Sequence, residues 1–250
     1  MLSTYRPAPG LTESNVCSTV DGVLSDRASV AGSGPAIVPG PGPELRDIAG
    51  RVAPVALAGD QLLAVLPALE GLVPAKGLRR GSVVGVSGDT GATSLALALL
   101  AGPSSAGSWT AVVGMPGLGA VAASELGVDL SRCALVPVPG PAWATVVAAL
   151  VDAIDVVAVR PPARVRAADA RRLSARARER GAVLVVVGPW PEGPDVRLQV
   201  SGPVEWAGLG CGHGALAARR LPVAGSGRGA AARERRATLE LPALGREGPA

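Results

Sequence analysis

The chain has no phenylalanine, one tyrosine and four tryptophans among 250 residues, so aromatic side chains make up 2% of it. Its core must therefore be built from Val, Leu and Ala, and it offers few rings on which single-stranded nucleic acid could stack. Lysine is almost missing as well: Lys76 stands alone beside many arginines, as a coding bias towards G and C produces. Histidine occurs once, as His213 in the run Gly210-Cys211-Gly212-His213-Gly214, where it reads as a turn residue. One His with no paired Ser or Cys nucleophile motif gives a hydrolytic triad no support. Cys17, Cys133 and Cys211 are an odd set without metal-ligand spacing. They indicate reduced thiols in the cytoplasm, and Cys133, which opens an apolar run, reads as core. A basic stretch followed by an apolar one is missing near the N-terminus, so no signal peptide is expected. No uninterrupted apolar run reaches the roughly 20 residues of a membrane span.

What is present is 48% apolar residues, enough for a sizeable core, and a formal net charge of +4. The positive charge is concentrated in two places. Arg160, Arg164, Arg166, Arg171, Arg172, Arg176, Arg178 and Arg180 fall close together, and Arg219, Arg220, Arg228, Arg233, Arg235 and Arg236 form a second group. A basic balance of this kind permits an anionic partner without requiring one.

Residues 1–45 are rich in Ser, Pro and Gly and end on Pro39-Gly40-Pro41-Gly42-Pro43, so they are expected to be disordered; a second disordered tail is expected over 243–250. Between them, 46–242 read as one domain. Its first stretch, 46–73, carries Leu62, Leu63, Val65, Leu66 and Leu69 in a pattern suited to a helix or two. From residue 82, apolar runs alternate with helical stretches. Strands are expected at Val83–Val86, Thr110–Val113, Ala134–Val136, Val156–Val159 and Val183–Val187. Helices are expected at Thr93–Leu100, Ala120–Leu126, Trp143–Ala153 and Ala168–Arg180, with Gly127 and Gly181 where a helix-ending glycine belongs. Continuous β-branched runs between helices predict an α/β fold whose mainly parallel sheet is covered on both faces. After residue 195 the pattern becomes period two, as in Val196-Arg197-Leu198-Gln199-Val200, around Leu216–Val223 and in Thr238–Leu241. These predict antiparallel strands closing the C-terminal edge. Trp109 and Trp143, at the start of a strand and a helix, are expected in the core.

The most informative segment is Ser82-Val83-Val84-Gly85-Val86-Ser87-Gly88-Asp89-Thr90-Gly91-Ala92-Thr93-Ser94. It has the context of a phosphate loop, strand then glycine-rich turn then helix. In such a loop backbone amides surround the phosphates and a lysine reaches the β and γ oxygens. Here Ala92 stands where the lysine belongs and Val86 where the first glycine belongs, while Gly91 and Thr93 remain. Gly88, Asp89, Thr90, Gly91, Ala92, Thr93 and Ser94 are thus a vestigial cofactor loop. Its amides could still hold an anion, a residual ATP included, with Asp89 opposing that.

The order of elements resembles the RecA recombinase core over residues 62–242. Gly77-Leu78-Arg79-Arg80-Gly81-Ser82 resembles that family's lead-in to the loop, and Glu125-Leu126-Gly127-Val128-Asp129-Leu130 its L-G-V-D turn. Ile154-Asp155-Val156-Val157-Ala158-Val159 resembles its Walker B strand, and Arg220–Leu241 its final hairpin. More narrowly, the missing loop lysine, Val159-Arg160-Pro161-Pro162, the Gly181–Pro191 run and Trp206–Gly214 resemble the actinobacterial ImuA group. These are accessory factors of damage-induced, error-prone DNA synthesis. The resemblance implies a RecA-like fold and, as partners, a translesion polymerase and an inactive Y-family polymerase homologue.

Departures from the pattern speak against catalysis. A Walker B strand should end in an Asp that positions Mg²⁺, and Val156–Val159 ends in Arg160, a cation that would repel the metal. Gly114-Met115-Pro116-Gly117 follows Thr110–Val113 where the family's catalytic Glu would fall. The expectation is a pseudo-ATPase with no catalytic residue, no metal and no required cofactor, acting by protein contacts. The alternatives are a divergent ATP-dependent recombinase or repair ATPase, and a plain DNA-binding module. For a DNA or partner contact the candidates are Arg164, Arg166, Arg172 and Arg176 around the helix at 168–180, Trp190, and Arg228, Arg233, Arg235 and Arg236 in the final hairpin. Each also reads as a solvated surface, or for Trp190 and Trp206 as packing against a sheet edge.

Overall fold

The computed structural model describes residues 61–209 and 214–242. The expectations for 1–45, for the 243–250 tail, and for Cys17, Cys211 and His213 lie outside the described residues. The described chain opens with a small antiparallel pair, β1 (Leu62–Ala64) and β2 (Gly77–Arg79). This corrects the helix expected over Leu62–Leu69. Pro67 forces Leu66 into an extended conformation (φ −58°, ψ 142°), so no helix can run through it, and only the short 3-10 turn Pro67–Leu69 forms. The apolar side chains still go inside, with Leu63, Leu66 and Leu69 all buried.

The apolar runs become β3 (Val83–Ser87), β4 (Thr110–Val113), β5 (Cys133–Val136), β6 (Val156–Val159) and β7 (Val183–Val187). The helices between them are α1 (Ala92–Ser105), α2 (Ala120–Glu125), α3 (Trp143–Val151) and α4 (Ala167–Arg180). Then come β8 (Val196–Val200), β9 (Glu205–Leu209), β10 (Gly214–Gly227) and β11 (Arg235–Leu241). The result is α/β, a 9-stranded mixed sheet ordered β11-β10-β8-β3-β7-β6-β4-β5, with β9 pairing β10.

From β3 the chain moves outward through α1 and α2 to β4 and β5, then returns through α3 and α4 to β6 and β7. Crossovers of one hand place the outward and returning helices on opposite faces. Two cores follow. Leu95 and Ala123 pack with Val84, Val112 and Val185 on one face; Val147 and Leu173 pack with Val83, Val157 and Val186 on the other. On α4 the buried positions include Ala170, Leu173 and Ala177, spaced i, i+3, i+7 along one helix face.

β8 corrects a second expectation, because it pairs parallel with β3 and only its other edge meets β10 antiparallel. Its alternation records one-sided burial: Leu198 and Val200 are buried while Arg197 and Gln199 are exposed. Period two reports which face is covered, and parallel strands near a sheet edge share it. The β10–β11 and β9–β10 pairs are antiparallel, as expected. Trp143 is buried (7% exposed), but Trp109 is 51% exposed, a third correction. Trp109 precedes β4 at the rim, where its backbone N–H donates to Asp155 Oδ2 at 3.1 Å and the ring is left outside.

The link from β7 to β8, Gly188–Asp195, is short and crosses the face of β3. A Cβ on Gly85, in the middle of β3, would lie 2.7 Å from Pro194 Cγ, so the crossing requires a bare backbone there. Asp195 fastens the far end, its Oδ2 accepting the Val83 N–H at 2.9 Å. Gly85→Val should therefore lower stability by about 1–3 kcal/mol, as overpacking does, read as a lower denaturant midpoint at unchanged slope. An unchanged midpoint would mean that the crossing segment does not rest on β3.

Candidate functional site

The glycine-rich loop lies between β3 and α1, at the edge where the parallel strands end. Gly91 is the N-cap of α1 in the left-handed conformation (φ 83°), and its carbonyl accepts the Leu95 N–H at 2.9 Å. No side chain caps this helix, so its first amides keep their positive end towards the loop. Ala92 is buried at 8% exposure, a methyl group turned into the core. Asp89 and Thr90 are exposed, and Thr93 is half-buried.

The end of β6 supplies the decisive contact. Arg160 Nη2 donates a hydrogen bond to Thr93 Oγ1 at 2.8 Å. The backbone beneath it is held firmly, with the Arg160 N–H on the Val113 carbonyl at 2.9 Å. Gly114 makes this approach possible: it has φ 75°, and a Cβ there would fall 2.3 Å from Arg160 O. The guanidinium thus donates to the loop threonine and places a cation beside it. A divalent ion bound by that hydroxyl would meet like charge.

A cleft of about 460 Å³ opens beside the loop, lined by Gly88, Asp89, Ala92, Arg160, Trp190 and Arg197 among others. Arg197 was not singled out in the sequence. Its place depends on the parallel pairing of β8 with β3, which sets Arg197 opposite Gly85, and the alternating pattern had suggested a different partner.

The candidate contact residues are divided between two edges of the sheet. Arg164 and Arg166 line a groove of about 520 Å³ with Val165, Pro189, Trp190 and Pro191, near the loop. Trp190 itself is buried, 8% exposed, with its ring N–H donating to Ser174 Oγ at 3.2 Å, so it packs the core face and does not project as an anchor. Arg172 pairs with Asp169 at 3.3 Å. Arg176 is held by Asp152 through two hydrogen bonds, Nε to Oδ1 at 2.6 Å and Nη2 to Oδ2, and Arg180 joins the same carboxylate at 3.1 Å. Arg172 and Arg176 therefore turn to separate carboxylates instead of presenting one joint patch.

The other group follows β10, whose end Gly227 pairs with Val196 at the start of β8, and so lies at the opposite edge. Arg228 Nη2 donates to the Glu192 carbonyl at 2.6 Å, tying this turn to the β7–β8 crossing. Arg236 pairs with Glu234 at 2.7 Å, and Arg233 is exposed. Arg235 is half-buried on β11. Trp206 is 46% exposed, with the Arg219 guanidinium 5.7 Å from its ring centroid. Cys133 is half-buried, and burial pushes its thiol pKa up. Among the described residues no helix is long and apolar enough to cross a membrane.

Residues 71–192 match the family described as the MT3502 N-terminal domain. The chain is also similar to the uncharacterized protein Rv3395c of Mycobacterium tuberculosis, 40% identical over 142 residues. That alignment spans 56% of this chain and 65% of the relative, a little under two thirds of its length. The family match contains the loop, Arg160 and α4, and stops before β8.

The Asp152 cluster yields a test. Hydrogen bonds from Arg176, with the charges of Arg176 and Arg180, hold the Asp152 carboxyl below its usual range. A depressed carboxyl pKa stabilises the fold above the unfolded-state pKa, and that contribution is lost as pH falls through the folded value. Asp152→Asn should therefore have a lower melting temperature than the parent at neutral pH, with the gap closing below the carboxylate range. A gap independent of pH would mean the pairing contributes nothing electrostatic.

Proposed function

We propose that this chain is a catalytically silent RecA-like protein that serves as an accessory factor in damage-induced, error-prone DNA synthesis. It would act by contacting a translesion polymerase and an inactive Y-family polymerase homologue. The observation that carries the silent-site reading is the Arg160–Thr93 hydrogen bond. Phosphoryl transfer of this class needs a loop cation on the phosphates, a strand-end carboxylate and a hydroxyl around Mg²⁺, and a group that orients the attacking nucleophile. At those positions stand Ala92, Arg160 already joined to Thr93, and the Gly114–Gly117 turn. Asp89, the carboxylate in the cleft lining, sits on the loop itself, where it opposes a phosphate.

Supporting the RecA-like relation are the mostly parallel sheet, the short crossing from β7 to β8 and the antiparallel β10–β11 edge. The crossing segment Gly188–Asp195 leaves no long loop there of the kind a recombinase uses to hold DNA. Arg172, Arg176 and Arg180 of α4 are matched to Asp169 and Asp152, which weakens that face as a site for a nucleic-acid backbone.

ATP hydrolysis by the purified chain should be undetectable with or without single-stranded DNA, and Ala92→Lys alone should not restore it. DNA-stimulated turnover that disappears on Thr93→Ala would instead return the chain to the recombinase class. The biological half needs a separate assay, damage-induced mutagenesis in cells. A variant carrying Thr93→Ala and Arg160→Ala should keep full mutagenesis, whereas Arg233→Glu with Arg236→Glu should reduce it and weaken capture of the polymerase partners. Both must melt like the parent. The opposite pattern would place nucleotide binding at the centre of the function.

A further inference from the structure

A cavity larger than the loop cleft, about 710 Å³, opens at the other edge of the sheet, where β3 and β8 begin. Its walls come from β1, β2, β8, the end of α4 and the turn after β10. The floor is apolar, with Val73 and Leu78 nearly fully buried and Val84 at its base. The rim is cationic: Arg79, Arg80, Arg178 and Arg228 all line it.

Of these four cations, only Arg80 has a carboxylate partner among the described residues. Arg80 pairs with Asp155 at 2.8 Å, and Arg228 spends one nitrogen on the Glu192 carbonyl. Arg79 and Arg178 are exposed, and neither guanidinium has an ion-pair or hydrogen-bond partner among the described residues. The lining carboxylate, Asp195, is engaged by the Val83 N–H. The mouth is shaped by a strained turn in which two successive non-glycine residues, Ala75 and Lys76, take positive φ (55° and 57°). Such strain persists only where the surrounding structure enforces it, and it gathers at ligand clamps.

We infer that this cavity is a docking site for an acidic protein segment that inserts an aliphatic side chain and sets its carboxylates against Arg79 and Arg178. This rests on the proposed role as a protein-contact module and gives that role a surface. A peptide fits better than a nucleic acid. Among the described residues no aromatic ring lines the cavity for a base to stack on, and an apolar floor rewards a buried aliphatic group, which a phosphate backbone cannot supply. The site is independent of the loop, since it lies at the opposite edge of the sheet.

The test is fluorescence anisotropy on the purified full chain with a labelled peptide in which two leucines are flanked by glutamates and aspartates. Companion probes replace the leucines with serine, replace the acids with lysine, or are single-stranded oligonucleotides of matching charge. Saturable binding of the acidic leucine peptide is expected, at least about tenfold weaker for Arg79→Glu, for Arg178→Glu and for the serine peptide, a loss of about 1.4 kcal/mol or more. Thr93→Ala with Arg160→Ala should leave it unchanged. The inference is overturned by absent or unsaturable binding, by equal binding to the two charge-reversal variants, or by an oligonucleotide that binds through the same arginines. Both arginines are exposed, so melting temperatures close to the parent are expected. If the peptide binds as described but the chain captures no polymerase partner from damaged cells, the site stands and the functional assignment fails. Capture that survives both charge reversals sinks the site alone.

Discussion

β3 is the strand on which the rest of the structure depends, because three requirements meet in it. It lies between β7 and β8, it launches the glycine-rich loop into α1, and it is crossed by the segment that joins its two neighbours. The crossing is possible because Gly85 offers no side chain to Pro194 and because Asp195 grips the start of the strand. Once β8 is fixed beside β3, Arg197 faces the loop cleft and β10 is held at the far side of β8. The separation of the molecule into a loop edge and an arginine-rimmed edge follows from that one strand.

At the loop edge, the hydroxyl of the glycine-rich loop is engaged by a contact within the protein. The Arg160 guanidinium bonds the threonine that a metal would need, on a strand end held against Val113 by its backbone and admitted by Gly114. A loop whose polar hydroxyl is already satisfied can be held in one conformation without a ligand. The cavity at the other edge has the reverse character, with unmatched charge over apolar walls and a strained turn at its mouth.

Much of the parallel core was legible from the residues alone. Val83–Val86, Val156–Val159 and Val183–Val187 are continuous valine-rich runs without a charged residue, the pattern of strands buried on both faces. The spacing of Ala170, Leu173 and Ala177 likewise needed no tertiary information. Three readings failed, one to a local proline and two where tertiary context decides. Leu62–Leu69 has helical spacing that Pro67 vetoes, Val196–Val200 alternates because one face is open, and Trp109 sits at a rim. The loop's lost lysine was visible at Ala92, but the Arg160–Thr93 bond, the role of Arg197 and the arginine-rimmed cavity are long-range juxtapositions. No local pattern encodes them.

The central claim is that Arg160 holds the place a metal would need, so the fold gains nothing from Mg²⁺ and nucleotide. Thermal melting of the full chain across a Mg²⁺–ATP series tests this most directly, because any ligand that binds the folded state alone raises the melting temperature with concentration. A flat series is predicted, for the parent and for Ala92→Lys alike. A melting temperature that climbs with nucleotide, requires Mg²⁺ and is abolished by Thr93→Ala would contradict it.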